Sequence, residues 1–322
     1  MVNVAVARGT GGVGRTVVEV LGSSAHQAFV LSRKVLLFFQ LYSIHPILIG
    51  AAFKRKSDHQ SRLQRHRKSS RRPRITQIHT VISAFAVEGD SLANSQMNLI
   101  EAAIRSRETK RFIPSGFAVP YPQESLRVLP QLKDYFAAIE TLRKSDLEWT
   151  IFHNGIFLDY FGGPAMKSYL KPNVFVIDIA NKVAAIPGTG DVPVTFTYTF
   201  DLARFVVAAL DLDYWEEECR VVGDEVTWTE FVGLVEEVTG SKITTHYASI
   251  DKLKGFQITE LPGHVALYQH FPKKGFQWFM SIFELLTADG SSCILRDGGL
   301  NELFPDIKPL TVRAMLEKYW KN

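Results

Sequence analysis

Apolar positions at the start of the chain first alternate and then recur at helical spacing. Val2-Asn3-Val4-Ala5-Val6-Ala7 alternates and is rich in β-branched residues, and Val17, Val18, Val20 and Leu21 follow after a glycine-rich stretch. The pattern predicts a strand, a turn and a helix. Gln27-Ala28-Phe29-Val30-Leu31-Ser32 reads as a second strand, and Ile78–Phe85 as a buried one. Leu92, Ser95-Gln96, Leu99-Ile100 and Ala103 predict a helix over Leu92–Arg105, with Asp90 or Ser91 as its cap. A strand is expected at Arg111–Pro114, then an extended proline-rich loop to Pro122. Pro130 is placed to open a helix whose apolar face is Leu132, Tyr135, Phe136, Ile139 and Leu142, and Trp149–His153 follows as another strand. Strands alternating with helices in this order predict an α/β fold of the Rossmann type, a doubly wound parallel sheet.

Beyond residue 155 the alternation loosens. Turn signals at Pro187-Gly188 and Thr189-Gly190-Asp191 precede an expected strand at Val192–Tyr198, and Asp201 is read as the cap of a helix Leu202–Leu210. A further helix starts at Thr227 or Thr229 and stops at Gly240. Tyr268, Phe271, Phe276, Trp278, Phe279 and Phe283 crowd the last third and predict a smaller, mainly helical lobe. The expected domains are therefore 1–155 and 156–322, with 35–77 atypical within the first.

The candidate chemistry begins in the first turn. Gly9, Thr10, Gly11, Gly12, Val13 and Gly14 satisfy G-x-G-x-x-G between a strand and a helix. There the backbone can approach a pyrophosphate, and the helix end offers unpaired N–H groups to it. A dinucleotide is the expected ligand. The second strand ends in Arg33-Lys34 with no acidic residue, which suits the 2′-phosphate of NADP(H) rather than a free ribose hydroxyl. Ser115 ends a strand, Asn154 stands beside the same sheet edge, and Phe157 follows it; all three are candidates for the cofactor side. Phe157, Tyr160 and Phe161 also suit the wall of an apolar pocket for a small-molecule substrate. His153, inside an apolar strand, is expected to be a satisfied core histidine.

Charge changes the picture only once it is located. Residues 54–74 carry ten Lys/Arg and one Asp, a net of +9, so the chain's +4 leaves −5 for the rest. The basic balance therefore reports one stretch, and no nucleic-acid partner is expected for the folded domain. Residues 35–53 are apolar, and the basic run follows them. Three readings are open for the interval. A membrane span is opposed by Gln40, His45, Pro46 and Gly50; a basic nucleic-acid or targeting arm is the second. The third, which we prefer, is foreign or mis-spliced sequence, with Ile47-Leu48-Ile49 as a poor strand and residues 54–74 outside the sheet. Two cysteines without metal or disulfide spacing, and an N-terminus that enters a strand directly, lead us to expect a cytoplasmic protein.

The opening loop, His79-Thr80-Val81-Ile82-Ser83-Ala84, Gly89-Asp90-Ser91-Leu92, Lys110-Arg111-Phe112-Ile113-Pro114-Ser115, Phe152-His153-Asn154-Gly155-Ile156-Phe157 and Ile186-Pro187-Gly188-Thr189-Gly190 together resemble the NmrA-like branch of the atypical short-chain dehydrogenase/reductases. These are fungal relatives of the isoflavone and phenylcoumaran benzylic ether reductases. The resemblance implies an NADPH-binding two-part protein, with a return of about residues 192–225 to the main domain. No tyrosine has a lysine four residues on, so the common Tyr-x-x-x-Lys donor is absent. The resemblance places a lone catalytic lysine at Lys133 instead, beside the nicotinamide and so also among the cofactor-binding residues, although helical spacing alone puts it on a solvated face. Two departures from the family pattern are Arg8, where a glycine opens the turn, and Gly116, where an acidic residue follows Pro-Ser. The reading is an NADPH-dependent reductase acting on an aromatic or polyketide-like molecule in fungal secondary metabolism. Its rival is a regulator that senses the NADP/NADPH ratio without turnover.

Overall fold

The structure, a computed structural model, describes residues 1–32, 77–86 and 91–321. The expectations for Arg33, Lys34, residues 35–76 and the Asp90 cap lie outside the described residues.

The first half builds a parallel sheet. Its parts are β1 (Asn3–Ala7), α1 (Gly12–Leu21), β2 (Gln27–Leu31), β3 (Thr80–Ser83), α2 (Met97–Arg105), β4 (Arg111–Ile113), α3 (Leu132–Arg143) and β5 (Glu148–Trp149). The strand order is β2-β1-β3-β4-β5, all parallel. The chain runs on from β5, paired with β4, through Thr150 into β6 (Ile151–His153), paired with β11 (Glu218–Arg220). Buried side chains alternate between the two faces: Val4, Val6, Ile82, Ile113 and Phe152 pack with Val17 and Leu21 of α1, while Ala5, Val81, Phe112 and Ile151 pack with Ile100 of α2 and Leu132 and Leu142 of α3. A parallel sheet buried on both faces needs this near-continuous apolar composition.

The second half supplies β7 (Ile156–Phe157), β8 (Ile177–Asp178), β9 (Val183–Pro187), β10 (Pro193–Thr197), α4 (Thr199–Ala209), β11, β12 (Asp224–Thr227), α5 (Trp228–Thr239) and β13 (Thr244–Ala248). The helices α6 (Ile250–Lys254), α7 (His264–Leu267), α8 (Lys273–Ala288), α9 (Leu300–Leu303) and α10 (Val312–Tyr319) complete it. Leu202, Phe205 and Val206 of α4 join the α1 face of the main sheet. The remainder carries two three-stranded sheets, β12-β10-β7 and β13-β9-β8, so it holds more strand than its aromatic-rich sequence led us to expect. Thr227 caps α5 through a reciprocal box with Glu230, and Gly240 ends it in the left-handed conformation at φ 62°.

Three local expectations need correction. The helix expected from Leu92 opens as a π-helical turn, Leu92–Gln96, which turns Gln96 inward before α2 begins. Pro130 precedes α3 by two residues and receives a bond from the Lys133 amide instead of occupying the first helical position. Asp201 does not cap its helix. The chain becomes helical at Thr199, whose amide and hydroxyl bond to the Asp159 carboxylate at 2.9 and 2.6 Å, while Asp201 accepts the Leu310 amide at 2.6 Å and pairs with Arg204.

Candidate functional site

The turn after β1 is shaped by three glycines under different constraints. A Cβ on Gly9 would fall 2.9 Å from Val18 Cγ2, and one on Gly14 would fall 2.6 Å from the Arg8 carbonyl oxygen and 3.1 Å from Ala84 Cβ. These two glycines let α1 lie close to β1 and β3. Gly11 differs, because a Cβ there would meet nothing within 4 Å. Open space therefore stands at the cap residue of α1, in front of the amides of Gly12, Val13 and Gly14, which have no acceptor one turn earlier in the helix. Gly12 itself has φ 49°, and the Gly11 amide donates to the Arg8 carbonyl at 3.2 Å to close the turn. Tight packing at two glycines and free space at the third suit close approach of a phosphate.

At the C-terminal ends of β3 and β4 the side chains form a closed knot. Ser115 Oγ lies 2.8 Å from Ser83 Oγ and accepts the Phe85 amide at 2.9 Å, while Gln96 Oε1 accepts both Ser83 Oγ and the Ser115 amide at 2.8 Å. Ser115, placed among the cofactor candidates from its strand-end position, thus has its hydroxyl committed to holding two strand ends together. The π-helical turn delivers Gln96 to this knot, a contact no sequence spacing announces.

Beside it, Asn154 and Gly155 donate their amides to the Ala118 carbonyl at 2.9 and 3.3 Å. Asn154 is fully buried; its Nδ2 donates to the Gly155 carbonyl at 3.2 Å and its Oδ1 has no partner. A buried acceptor left open at the ligand edge of the sheet fits a polar group arriving from outside the chain. His153 is not the satisfied histidine expected: its Nδ1 has no partner and its Nε2 is 4.0 Å from Glu218. Burial, helped by Arg220, drives its pKa down to about 4, so the ring is neutral near pH 7. Phe157 stands edge-on to Tyr160 at 6.2 Å and is half-buried.

Gly116 has a steric cause. A Cβ there would fall 2.3 Å from Ile151 Cδ1 and Cγ1, so the space a side chain would take is already filled from β6. A segment near residue 170 reaches α1 as well: Arg15 lies 3.8 Å over the Tyr169 ring, Glu19 pairs with Lys167 and accepts the Tyr169 hydroxyl, and Leu170 approaches Gly12. These pairs are some 150 residues apart in the chain, beyond the reach of local patterns.

The NmrA-like family model matches residues 2–277. The chain belongs to the NmrA-like family. Oxidoreductase BOA1 of Botryotinia fuckeliana is 34% identical over 311 residues, covering 96% of each chain. The structure of the binary complex of leucoanthocyanidin reductase with NADPH from Vitis vinifera superposes with a TM-score of 0.68 at 15% identity, covering 98% of this chain and 99% of that one. That of AtPrR2 with NADP+ and (+)-pinoresinol gives 0.69 at 20% identity, covering 99% and 98%. These structures share the Rossmann-type fold with this NmrA-like chain.

Lys133, which the family resemblance singles out, sits in the first turn of α3, exposed and without an ion pair among the described residues. The described residues contain no grouping of His, Cys, Asp and Glu able to hold a metal, and no helix among them is long and apolar enough to cross a membrane.

Proposed function

We propose that this NmrA-like chain is an NADPH-dependent reductase of a small electrophilic metabolite, aromatic or polyketide-like, in fungal secondary metabolism. The observation that carries the reading is the divided role of the glycines, with Gly9 and Gly14 closed by packing and Gly11 open before the free amides of α1. Those amides and the positive helix end hold the pyrophosphate. Arg33 and Lys34 take the 2′-phosphate at the end of the second strand. Asn154 Oδ1, open and buried, accepts a donor at the sheet edge. Bound NADPH supplies a hydride. Lys133 Nζ gives a proton to the substrate oxygen on which negative charge develops, and Phe157 with Tyr160 supplies part of an apolar wall that favours an aromatic guest.

The binding of NADPH and NADP+ by related proteins, and the oxidoreductase name of the fungal relative, support this assignment. The test is calorimetric titration with NADPH, followed by a panel of enones, aryl ketones and benzylic ethers monitored for substrate-dependent NADPH oxidation. Submillimolar binding together with oxidation by at least one class is expected. Binding with no oxidation across the panel would favour the non-catalytic sensor.

A further inference from the structure

Arg8 opens the glycine turn in the left-handed region, at φ 59°. An arginine there has Cβ crowding that glycine escapes, and it lacks the short polar side chain through which Asn or Asp offsets the strain. The position would be relieved by the simplest substitution, yet it carries the longest cationic side chain. Such an outlier at a ligand-binding turn calls for a functional account.

Two neighbouring cations among the described residues are already engaged. Arg15 lies over the Tyr169 ring, and Lys167 pairs with Glu19. Arg8 is exposed and has no carboxylate partner among the described residues. Its backbone position sets the side of the crevice on which it stands. The Arg8 amide donates to the Leu31 carbonyl at 3.1 Å, whereas Ala7, one residue earlier, uses its carbonyl to receive Ala84 from the β3 side at 3.2 Å. Arg8 therefore borders the end of β2, the flank where the adenosine ribose of a dinucleotide lies in this class of sheet. The pyrophosphate belongs over the amides that follow Gly11, past the turn.

We infer that Arg8 is a specificity residue for the 2′-phosphate, supplying from the glycine turn itself a guanidinium that distinguishes NADP(H) from NAD(H). The planar donor fork suits phosphate oxygens, and a dianionic group would give Arg8 the partner it lacks among the described residues. This inference rests on the proposed dinucleotide function.

Calorimetry on wild type, Arg8→Gly, Arg8→Ala and Arg8→Lys, with NADPH and NADH each, tests it alongside melting temperatures of the ligand-free proteins. Removing a charge-assisted contact should weaken NADPH about ten- to a hundredfold in both Arg8→Gly and Arg8→Ala, with NADH affinity unchanged. Arg8→Lys should retain part of the preference. Because glycine accepts the backbone angle, Arg8→Gly should melt above Arg8→Ala and keeps the test valid if the alanine variant folds poorly. Equal loss for both nucleotides would overturn the inference, since it would place Arg8 on the pyrophosphate or make it merely structural. An unchanged NADPH preference in Arg8→Gly would overturn it too, leaving the dinucleotide function intact. Failure of wild type to bind either nucleotide would overturn both.

Discussion

Ser115 Oγ stands 2.8 Å from Ser83 Oγ, and Gln96 Oε1 closes the figure by accepting from the Ser83 hydroxyl and the Ser115 amide. Two parallel strand ends and the turn that begins the next helix are thereby held by one buried set of bonds, directly beside the crevice where β1 ends.

Ser115→Ala should leave the Phe85 amide without its acceptor and strip one partner from Ser83. A buried donor left unpaired costs about 1–3 kcal/mol. The expected outcome is a denaturant midpoint shifted by that amount with an unchanged slope. If stability is preserved while NADPH affinity falls at least tenfold, Ser115 serves the cofactor directly and its place in the knot is incidental.

Glu284 of α8 predicts an unusual dependence of stability on pH. It is 2% exposed, its Oε2 has no partner, and burial, only partly opposed by Lys252, raises its pKa to about 8. The folded state therefore keeps a proton that the unfolded state releases near its ordinary value of 4.5. Its contribution is complete below that value and is lost as pH rises toward 8, with a slope of at most about 1.4 kcal/mol per pH unit. His153 works in the opposite sense, its contribution present above its ordinary 6.5 and lost as pH falls through about 4, and burial lowers His79 and His264 in the same sense, so the comparison with Glu284→Gln between pH 6.5 and 8 separates the carboxyl from the histidines. Melting curves across that window should fall more steeply for wild type than for Glu284→Gln. Parallel curves would mean that the carboxyl is already ionised in the folded protein.

The parts legible in the sequence are those governed by local periodicity. β1, α1, β2 and β4 follow from alternation and helical spacing, and the Thr227 cap and Gly240 stop from residue type. The glycine turn was legible because backbone crowding selects glycine whatever lies elsewhere in the chain. What escaped depends on partners remote in sequence. Asp159 rather than Asp201 meets the α4 N-terminus because a 3-10 turn at Leu158–Phe161 brings it there. His153 looked satisfied because an apolar strand usually buries only paired groups, yet the Nδ1 stays open between elements that offer it no donor or acceptor. Gly116 stands where the family pattern has an acidic residue, and only the three-dimensional position of Ile151 gives the cause.

Arg33→Ala should narrow the preference for NADPH over NADH. Loss of a charge-assisted contact to the 2′-phosphate is worth about 1.5–3 kcal/mol, or roughly ten- to a hundredfold. Competition titrations with both cofactors measure the ratio directly. A wild-type protein with no preference, or a mutant whose preference is unaltered, would remove Arg33 from the cofactor site and leave the phosphate to other cations.

Lys133→Met separates catalysis from sensing. Methionine keeps a similar reach and helix propensity while removing the proton, so α3 should form and NADPH affinity should stay within about threefold. If Lys133 is the general acid, turnover on any accepted substrate should drop by about 10²–10⁴ with little change in KM. A sensor gives another pattern, with no turnover in wild type and nucleotide-dependent partner binding that survives the substitution. The exposure of Lys133 sharpens the test, because a solvated lysine tied to no carboxylate among the described residues has little structural part to lose. Loss of turnover without loss of melting temperature would therefore report chemistry, whereas full activity in Lys133→Met would assign the proton donor to another residue.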